Sequence, residues 1–445
     1  MPQVARYGLY SLKQLNECYS TREGPLYEDA LIIRPGRPLE GDISIKGAKN
    51  SVLKLMAATL LASGKHLIEN VPDIADVAIM SDLLRSMGVE VSQIDDGKLT
   101  IVVPDEADLV PRAPYELVEK IRASIVVMGP LVARYRRCEV SVPGGDDFGH
   151  RPIDFHLNAL EAMGVRFESA HGYISAATPG LVGTQVVLEF PSHTATDNVL
   201  MAAALAKGTT VIENAAREPE IIDLARMLNG MGAKISGAGT SRIEVHGVEE
   251  LVPARHRVIA DRVEAASMAA AVGLAGGNVN LIGAPSLYME MVLEKLSAIG
   301  LTITHTSEGL NVICRERLQA TDLATLPYPG VATDYKPFMV TLLSVAQGVS
   351  IVTENLFSGR FKYVDELRRM GADIRTQGHH AVIRGVPRLS GAQVKGTDIR
   401  AAAALALAGL AADGETVLLG ASHIERGYED FPGRLKAVGA DIERL

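Results

Sequence analysis

Six copies of one pattern run through the chain, and this repeat constrains the fold more than any other feature. In each copy an amphipathic helix leads into a short turn and a strand. The turns read MGVEV at Met87, MGVRF at Met163, MGAKI at Met231, IGLTI at Ile299, MGADI at Met370 and VGADI at Val438. Successive turns lie 76, 68, 68, 71 and 68 residues apart. Such a period is typical of an architecture built from one supersecondary unit, and the copies cover residues 30 to 445.

The same elements precede each turn in the same order. A helix of small apolar residues comes first, such as NVLMAAALAKG, and a short β-branched strand such as TTVIEN follows it. The second helix carries apolar residues at i, i+3, i+4 and i+7, which indicates one buried face. The pattern therefore predicts six β-α-β-α-β-β units in which the first helix is buried and the second lies outside it. Periodicity leaves open whether the units form a ring, a solenoid or two clusters of three.

Composition and charge disfavour several classes of protein. A net charge of −9 argues against nucleic-acid binding, and the absence of a run of about 18 apolar residues argues against a membrane span. Cys18, Cys138 and Cys314 show no CxxC or metal-type spacing, which favours unpaired thiols in a reducing cytoplasm. Residues 1–27 form an N-terminal extension of low information, and a monomer or weak homo-oligomer is expected.

Charged residues recur near the predicted start of the small-residue helices. They are Lys49 and Asn50 in GAKNS, Arg122 in KIRAS, Asp261 and Arg262 in ADRVE, Asp334 and Lys336 in ATDYK, and Asp398 and Arg400 in TDIRA. Other connections add Arg151, Arg360 and Arg426. A single arginine at such a place is usually solvated, but repeated cations at helix starts predict a cleft for an anion with several charged oxygens. GDISIKGAKN is not a P-loop, because Ala48 separates the glycine from the lysine.

The motifs GAKNS, RASIVVMGPLVAR, PGGDDFGHRPIDFH, ENAAREPEIID, TDIRA and ERGYE resemble those of the enolpyruvyl transferases over residues 30–445. The resemblance implies an α/β fold, a two-lobed inside-out α/β barrel built from the six repeats. Lobe I would be discontinuous, 28–48 plus 261–445, and lobe II would be 49–260 with a catalytic loop at 143–151. Members of this family move the 1-carboxyvinyl group of phosphoenolpyruvate to a hydroxyl group and release phosphate, with no metal or organic cofactor.

The resemblance also implies roles for individual residues. Lys49, Arg151 and Arg426 match phosphate-binding positions, and Arg360 and Arg400 match carboxylate-binding positions. Arg122 matches a further cationic position of the cleft. Asp334 matches the general base, with Asn50 beside it at the acceptor hydroxyl. The remaining acceptor-side positions are Arg151, Pro152, Ile153, Asp154, Phe155, His156, Ser192, His193, Thr194, Lys336 and Leu356.

Asp146 stands where most members of this family carry a cysteine on a mobile loop. The resemblance implies that Asp146 donates the proton to the methylene carbon of phosphoenolpyruvate, which a carboxylic acid can do when a closed site raises its pKa. Neighbouring Asp147 would favour that rise and Arg151 would oppose it. Because a carboxylate is a poor target for epoxide alkylation, resistance to fosfomycin is expected. The alternative to the role of proton donor is that Asp146 is an inert loop residue.

Three departures from the usual family pattern leave the acceptor open. Thr194 replaces a glycine, Lys336 follows Asp334 closely, and the sugar-side loop before Arg360 lacks large polar residues. UDP-N-acetylglucosamine, used for peptidoglycan precursors, is slightly favoured as the acceptor. The alternative is a specialised relative that uses uridine monophosphate in nucleoside-antibiotic biosynthesis, and a more remote one is an inactive binding protein.

Overall fold

The computed structural model describes residues 29–95, 97–144, 153–357 and 359–445. Within these residues the chain forms six four-stranded sheets of one topology. An edge strand pairs in parallel with the second strand, and the second, third and fourth strands pair antiparallel. With the strands of each sheet given from the parallel edge strand to the fourth strand, three sheets are Arg255–Arg257, Gly64–Glu69, Lys98–Val103 and Glu90–Asp95; Arg112–Ala113, Arg137–Ser141, Tyr173–Ala177 and Arg166–Ala170; and Gln185–Val187, Thr209–Glu213, Arg242–His246 and Lys234–Ser236. The other three sheets, in the same strand order, are Leu39–Ser44, Gly277–Ile282, Gly309–Cys314 and Thr302–Thr306; Leu323–Ala324, Val349–Thr353, His380–Arg384 and Asp373–Gln377; and Gln393–Lys395, Thr416–Leu419, Ala30–Arg34 and Asp441–Arg444. A small two-stranded sheet pairs Leu389–Ser390 with Ala412–Asp413.

The sheets do not all consist of consecutive segments, which the repeat alone did not indicate. Gly64–Glu69 is completed by Arg255–Arg257, with Leu67 opposite Arg255. Ala30–Arg34 is inserted between Thr416–Leu419 and Asp441–Arg444 at the other end of the chain. These long-range pairings satisfy backbone groups that would otherwise leave open sheet edges.

Each repeat contributes one mostly buried helix and one outer helix. The buried helices are Lys49–Ala58, Met128–Tyr135, His193–Ala203, Arg262–Ala275, Lys336–Val345 and Ile399–Leu410. The outer helices are Ala75–Ser86, Asp154–Ala162, Pro219–Gly230, Glu290–Ile299, Val364–Arg369 and Phe431–Ala437. Shorter helices cover Tyr115–Val118 and Ser422–Glu425, and 3-10 turns cover Thr59–Leu61, Glu106–Asp108, Arg122–Val127 and Ser286–Tyr288. All 12 residues of Ile399–Leu410 are buried, whereas Ala75–Ser86 buries one face, which confirms the predicted arrangement.

The buried side chains form two large clusters. One combines residues from 31–45 with residues from 263–442, and the other lies within 48–258. Three of the four-stranded sheets are associated with each of these parts of the chain. Within the described ranges, no helix is both long and apolar enough to cross a bilayer.

Candidate active site

A cavity of about 210 Å³ lies where several of the buried helices begin. Six of the described residues that line it are cations: Lys49, Lys54, Arg122, Arg360, Arg400 and Arg426. Two are carboxylates, Asp76 and Asp334. The predicted convergence of cations from different repeats is therefore present in the structure. Because the cations outnumber the carboxylates, the cavity attracts an anion with several charges.

Asp334 is the centre of one charged group in the cavity. Its Oδ1 lies 2.9 Å from Arg360 Nη1, and its Oδ2 lies 3.4 Å from Arg400 Nε. Asn50 Nδ2 also donates to Oδ2 over 3.4 Å. Burial by itself would raise the pKa of Asp334, but Arg360, Arg400 and Lys49 outweigh it and hold the pKa well below its usual range. Asp334 is therefore ionised and can accept a proton.

Asp76 is the centre of a second charged group that sequence reasoning missed. Its carboxylate oxygens lie 3.0 Å from Lys49 Nζ and 3.0 Å from Arg426 Nε. The Asp76 side chain is 2% exposed, so it holds both cations at fixed positions beside the cavity. An acidic residue in the first turn of a helix is common, and nothing in the local sequence distinguished this one.

Arg400 is held rigidly with part of its hydrogen-bonding capacity unused. Asp398 caps its helix by accepting from the Arg400 and Ala401 backbone N–H groups, each over 3.0 Å. The guanidinium lies against the Tyr428 ring, with 5.2 Å between Cζ and the ring centroid. Within the described residues, Arg400 Nη1 donates no hydrogen bond although it is buried. A buried donor of this kind is suited to a carboxylate ligand.

Arg360 is fixed by neighbours that also explain the position of Lys336. Arg360 Nη1 donates to Thr333 Oγ1 over 3.1 Å, and the Arg360 carbonyl accepts from Lys336 Nζ over 2.6 Å. Lys336 Nζ also lies 2.8 Å from Glu354 Oε2, and both side chains are fully buried. The structure thus places Lys336 beneath the cavity wall and not among the cavity-lining residues, contrary to the expected acceptor contact. The local pattern could not reveal this, because Glu354 is a distant residue.

Replacing Lys336 by methionine tests this structural role. We expect the free energy of unfolding to fall by about 3–5 kcal/mol, because a buried carboxylate loses its cationic partner. Urea denaturation measures the change, and Lys207→Met at an exposed site serves as the control. An altered KM for the acceptor at unchanged stability would contradict this assignment and restore Lys336 as a specificity residue.

The acceptor-side residues divide between the cavity and the interior. His193 and Thr194 line the cavity at the start of the helix His193–Ala203, and Ser192 caps that helix by accepting from Ala195 N. His156 is buried, with Nδ1 2.7 Å from Asn198 Nδ2 and Nε2 3.2 Å from Thr194 Oγ1. Burial lowers the pKa of His156 to about 3, with a contribution from Arg122, so the ring is neutral. His156 thus positions Thr194 and does not line the cavity.

The other acceptor-side predictions have mixed locations. Ile153 and Phe155 are half-buried and pack against the core of residues 48–258, whereas Asp154 is exposed at the start of its helix. Leu356 is half-buried, and its backbone N–H donates to Glu354 Oε1 over 2.8 Å. None of these four is among the described cavity-lining residues.

Several predicted residues lie outside the described ranges. Asp146, Arg151 and Pro152 belong to this group, as do the N-terminal extension 1–27 and most of the loop 143–151. Arg122 contacts the start of that loop, because it donates to the Pro143 carbonyl over 3.2 Å, and it also lines the cavity. The roles assigned to Asp146 and Arg151 remain predictions.

Sequence reasoning included one cation that lies elsewhere and omitted one that lines the cavity. Arg262 is buried with Nε 3.0 Å from Glu220 Oε1 and Nη1 3.0 Å from the Tyr335 hydroxyl, and it is not a lining residue. Lys54 lines the cavity, although it follows an unremarkable Val-Leu pair in the middle of a helix. Its helical spacing of four from Asn50 was the available signal.

A mixed α/β scaffold of six alike sheets, with helix starts that converge on a cation-rich cavity, defines an anion-binding α/β protein. The family model described as EPSP synthase (3-phosphoshikimate 1-carboxyvinyltransferase) matches residues 33–435. The chain belongs to this family of enolpyruvyl transferases, as the sequence motifs predicted.

Curated relatives extend the similarity over nearly the whole chain. The UDP-N-acetylglucosamine 1-carboxyvinyltransferase of Nocardia farcinica is 46% identical over 422 residues, which are 94% of this chain and 99% of the relative. The enzyme of the same name from Gluconobacter oxydans is 48% identical over 418 residues, with the same coverage of both chains.

Solved structures support the fold. The enolpyruvyl transferase NikO from Streptomyces tendae matches with a TM-score of 0.83 at 24% identity, covering 94% of this chain and 99% of that chain. EPSP synthase from Acinetobacter baumannii matches with a TM-score of 0.74 at 20% identity, covering 93% and 99%. At these identities the likeness concerns the fold alone.

Proposed function

We propose that this protein transfers the 1-carboxyvinyl group of phosphoenolpyruvate to a hydroxyl of UDP-N-acetylglucosamine and releases phosphate. The observation that carries this proposal is the placement of the carboxylate of Asp334 between Arg360 and Arg400, with Asn50 beside it in the same cavity. The names of relatives at 46% and 48% identity support the choice of acceptor. Such a product serves peptidoglycan precursor synthesis.

The two charged groups of the cavity suit the two charged ends of phosphoenolpyruvate. Lys49 and Arg426, held by Asp76, bind the phosphate, and Arg122 adds a further positive charge beside them. Arg360 and Arg400 bind the carboxylate, for which Arg400 Nη1 is available. Cations aimed at the phosphate stabilise the negative charge that it carries as it leaves.

Proton transfers complete the reaction. Asp334 takes the proton of the attacking hydroxyl, and an acid protonates the methylene carbon while the hydroxyl oxygen bonds to the adjacent carbon. Loss of phosphate, together with a proton from the former methylene carbon, then regenerates the double bond. Because the carboxylate of phosphoenolpyruvate takes over Arg360 and Arg400, the pKa of Asp334 rises during binding and Asp334 becomes a stronger base.

Asp146 is the proposed acid for the methylene carbon, on the basis of its sequence position. Asp146→Asn is expected to lower kcat by about 10² to 10⁴-fold with the fold retained, because an amide cannot supply the proton. Asp146→Cys is expected to make the enzyme sensitive to fosfomycin, to which we expect the natural chain to be resistant. Phosphate-release assays with and without fosfomycin measure both effects, with exposed Asp82→Asn as the control. Near-normal turnover of Asp146→Asn would rule out this role.

The separate core clusters support a two-lobed inside-out α/β barrel. Lobe I would comprise residues 28–48 plus 261–445 and lobe II residues 49–260, with three of the four-stranded sheets assigned to each. The cavity lies between these parts: Asn50 meets Asp334 across it, and Asp76 meets Arg426. The proposal also includes that the protein is a monomer or weak homo-oligomer and is located in the cytoplasm.

Phosphate release from phosphoenolpyruvate, measured in parallel with UDP-N-acetylglucosamine and with uridine monophosphate, tests the function. Turnover with the sugar nucleotide supports the proposal. Turnover only with the monophosphate would make the protein a specialised relative of nucleoside-antibiotic pathways. That alternative rested partly on Lys336, which lies outside the cavity lining. Binding of phosphoenolpyruvate without any release would indicate an inactive binding protein.

A further inference from the structure

A buried lysine–carboxylate pair lies at the cavity and is not used by the proposed reaction. Lys54 lines the cavity with its side chain 5% exposed, and its Nζ lies 3.8 Å from Oδ2 of Asp197, whose side chain is 1% exposed. This separation is longer than a hydrogen bond. Neither carboxylate oxygen of Asp197 accepts a hydrogen bond within the described residues. Buried carboxylates are normally hydrogen-bonded, so the pair has unused capacity for a ligand or a proton.

Lys54 lies close to the residues that are proposed to act on the reacting hydroxyl of the acceptor. Lys54 follows Asn50 by one helical turn, so both side chains lie on the same face of the helix Lys49–Ala58. Its ammonium group donates to the Asn50 carbonyl, and Asn50 contacts Asp334, the proposed base. A group bound by Lys54 would therefore lie beside Asn50, on the side of the cavity where the reacting hydroxyl is expected.

His193 adds a second polar group at the same place. Its Nε2 lies 3.7 Å from Asp197 Oδ2 and has no hydrogen-bond partner among the described residues. Burial lowers the pKa of His193 to about 3, with contributions from Lys54 and Arg262, so the ring is neutral. His193 lines the cavity and can donate or accept one hydrogen bond without adding charge.

The balance of charge in the cavity indicates what Lys54 binds. Lys49 and Arg426 pair with Asp76, and Arg360 and Arg400 pair with Asp334. Among the lining residues that the structure describes, the six cations exceed the two carboxylates by four charges. Phosphoenolpyruvate supplies roughly three negative charges, one from its carboxylate and up to two from its phosphate. One positive charge remains. Because Arg122 is assigned to the phosphate of phosphoenolpyruvate, that charge is the one on Lys54, which shares the neighbour Asp197 with the lining residue His193.

We propose that Lys54 is a specificity residue that binds a phosphate group of the acceptor nucleotide, with His193 as a neutral partner and Asp197 as a competing internal carboxylate. This inference rests on the proposed enolpyruvyl transfer and adds the chemistry of acceptor recognition. In the absence of acceptor, Asp197 partly neutralises Lys54. The acceptor phosphate replaces that carboxylate as the counterion, and Asp197 then takes up a proton from the solvent.

The surroundings of Asp197 fit this exchange. Burial raises the pKa of Asp197 to about 7, with Lys54 opposing the rise and Glu218 and Glu220 adding to it. These glutamates lie at the start of the helix Pro219–Gly230, Lys54 comes from a second helix, and His193 from the helix of Asp197 itself. Below pH 7 Asp197 is neutral and Lys54 is available for the phosphate, and above pH 7 the ionised carboxylate competes.

Lys54→Met tests the proposal, because methionine keeps most of the apolar length of the side chain and removes its charge. We expect the KM for the acceptor nucleotide to rise about tenfold or more, while the KM for phosphoenolpyruvate stays within about twofold. Calorimetric titration with UDP-N-acetylglucosamine, uridine monophosphate and phosphate-free uridine gives the same comparison without turnover. Only the phosphate-bearing ligands should lose affinity. Lys207→Met, at an exposed site, is the control.

A second arm uses Asp197→Asn and pH. In the wild type the KM for UDP-N-acetylglucosamine should rise between pH 6 and pH 8.5, about the pKa of Asp197, and Asp197→Asn should abolish that rise. If Lys54→Met lowers stability, the double variant Lys54→Met/Asp197→Asn removes the unpaired carboxylate and permits the binding measurement. Unchanged nucleotide affinity in the lysine variants, or an equal loss for uridine, would overturn the inference. A wild type that binds nucleotide but releases no phosphate would instead contradict the proposed function.

Discussion

Asp334→Asn is expected to lower kcat by about 10² to 10⁴-fold, because the amide cannot take the proton of the attacking hydroxyl. The KM for phosphoenolpyruvate should fall or stay unchanged, since the substitution removes a negative charge that lies 2.9 Å from Arg360 Nη1 and 3.4 Å from Arg400 Nε. Initial rates of phosphate release at several concentrations of phosphoenolpyruvate separate the two constants.

This division between kcat and KM distinguishes a base from a structural carboxylate. If Asp334 only positioned the two arginines, its loss would raise the KM for phosphoenolpyruvate and leave kcat nearly intact. A kcat within about threefold of the wild type would remove Asp334 from the role of base. Asp82→Asn, an exposed substitution on the outer helix Ala75–Ser86, is the matched control and should leave both constants unchanged.

Arg400→Lys is expected to lower kcat/KM for phosphoenolpyruvate by about 10 to 100-fold, although the positive charge is kept. The planar guanidinium offers several donors in a fixed arrangement, and within the described residues its Nη1 donates no hydrogen bond. A lysine ammonium cannot reproduce that geometry beside Asp334, nor the packing of Arg400 against Tyr428. Steady-state kinetics with phosphoenolpyruvate as the varied substrate measure the loss.

Arg388→Lys is the matched control for this substitution. Arg388 pairs with Asp413 at the surface over 2.6 Å, and both side chains are more than half exposed. Surface pairs of this kind contribute little, so kinetics and stability should remain close to those of the wild type. Equal effects at both positions would show that replacing arginine by lysine disturbs the protein in general, and would contradict a specific role of Arg400 in carboxylate binding.

The regular features of the fold could be predicted because they are local. Small apolar residues on every side of a helix favour burial, and the helix Ile399–Leu410 is buried along its whole length. The turn that begins at each of Met87, Met163 and Met231 marks where an outer helix ends and a strand follows, and these elements recur in the structure. The second repeat departs from the pattern, since its first helix opens as the 3-10 turn Arg122–Val127.

The site was predictable in part, for the same reason. Lys49, Asn50 and Arg400 lie at helix starts, where charged side chains and free N–H groups occur together, and the structure brings them to one cavity. Lys336 begins a helix in the same way but turns inward to Glu354. The local sequences around Lys49 and Lys336 do not differ in any feature that identifies the charged partner of each lysine.

The sequence by itself determined the repeating unit, the burial of its first helix and the supply of cations at helix starts, since these depend on residues within one turn or one strand. Only the tertiary structure decided which distant strands complete the sheets, that Asp76 holds Lys49 beside Arg426, and that Lys54 faces the cavity. The physical reason is that a buried charge must find its partner in space. Asp76 and Arg426 are 350 residues apart, and no local pattern specifies such a pair.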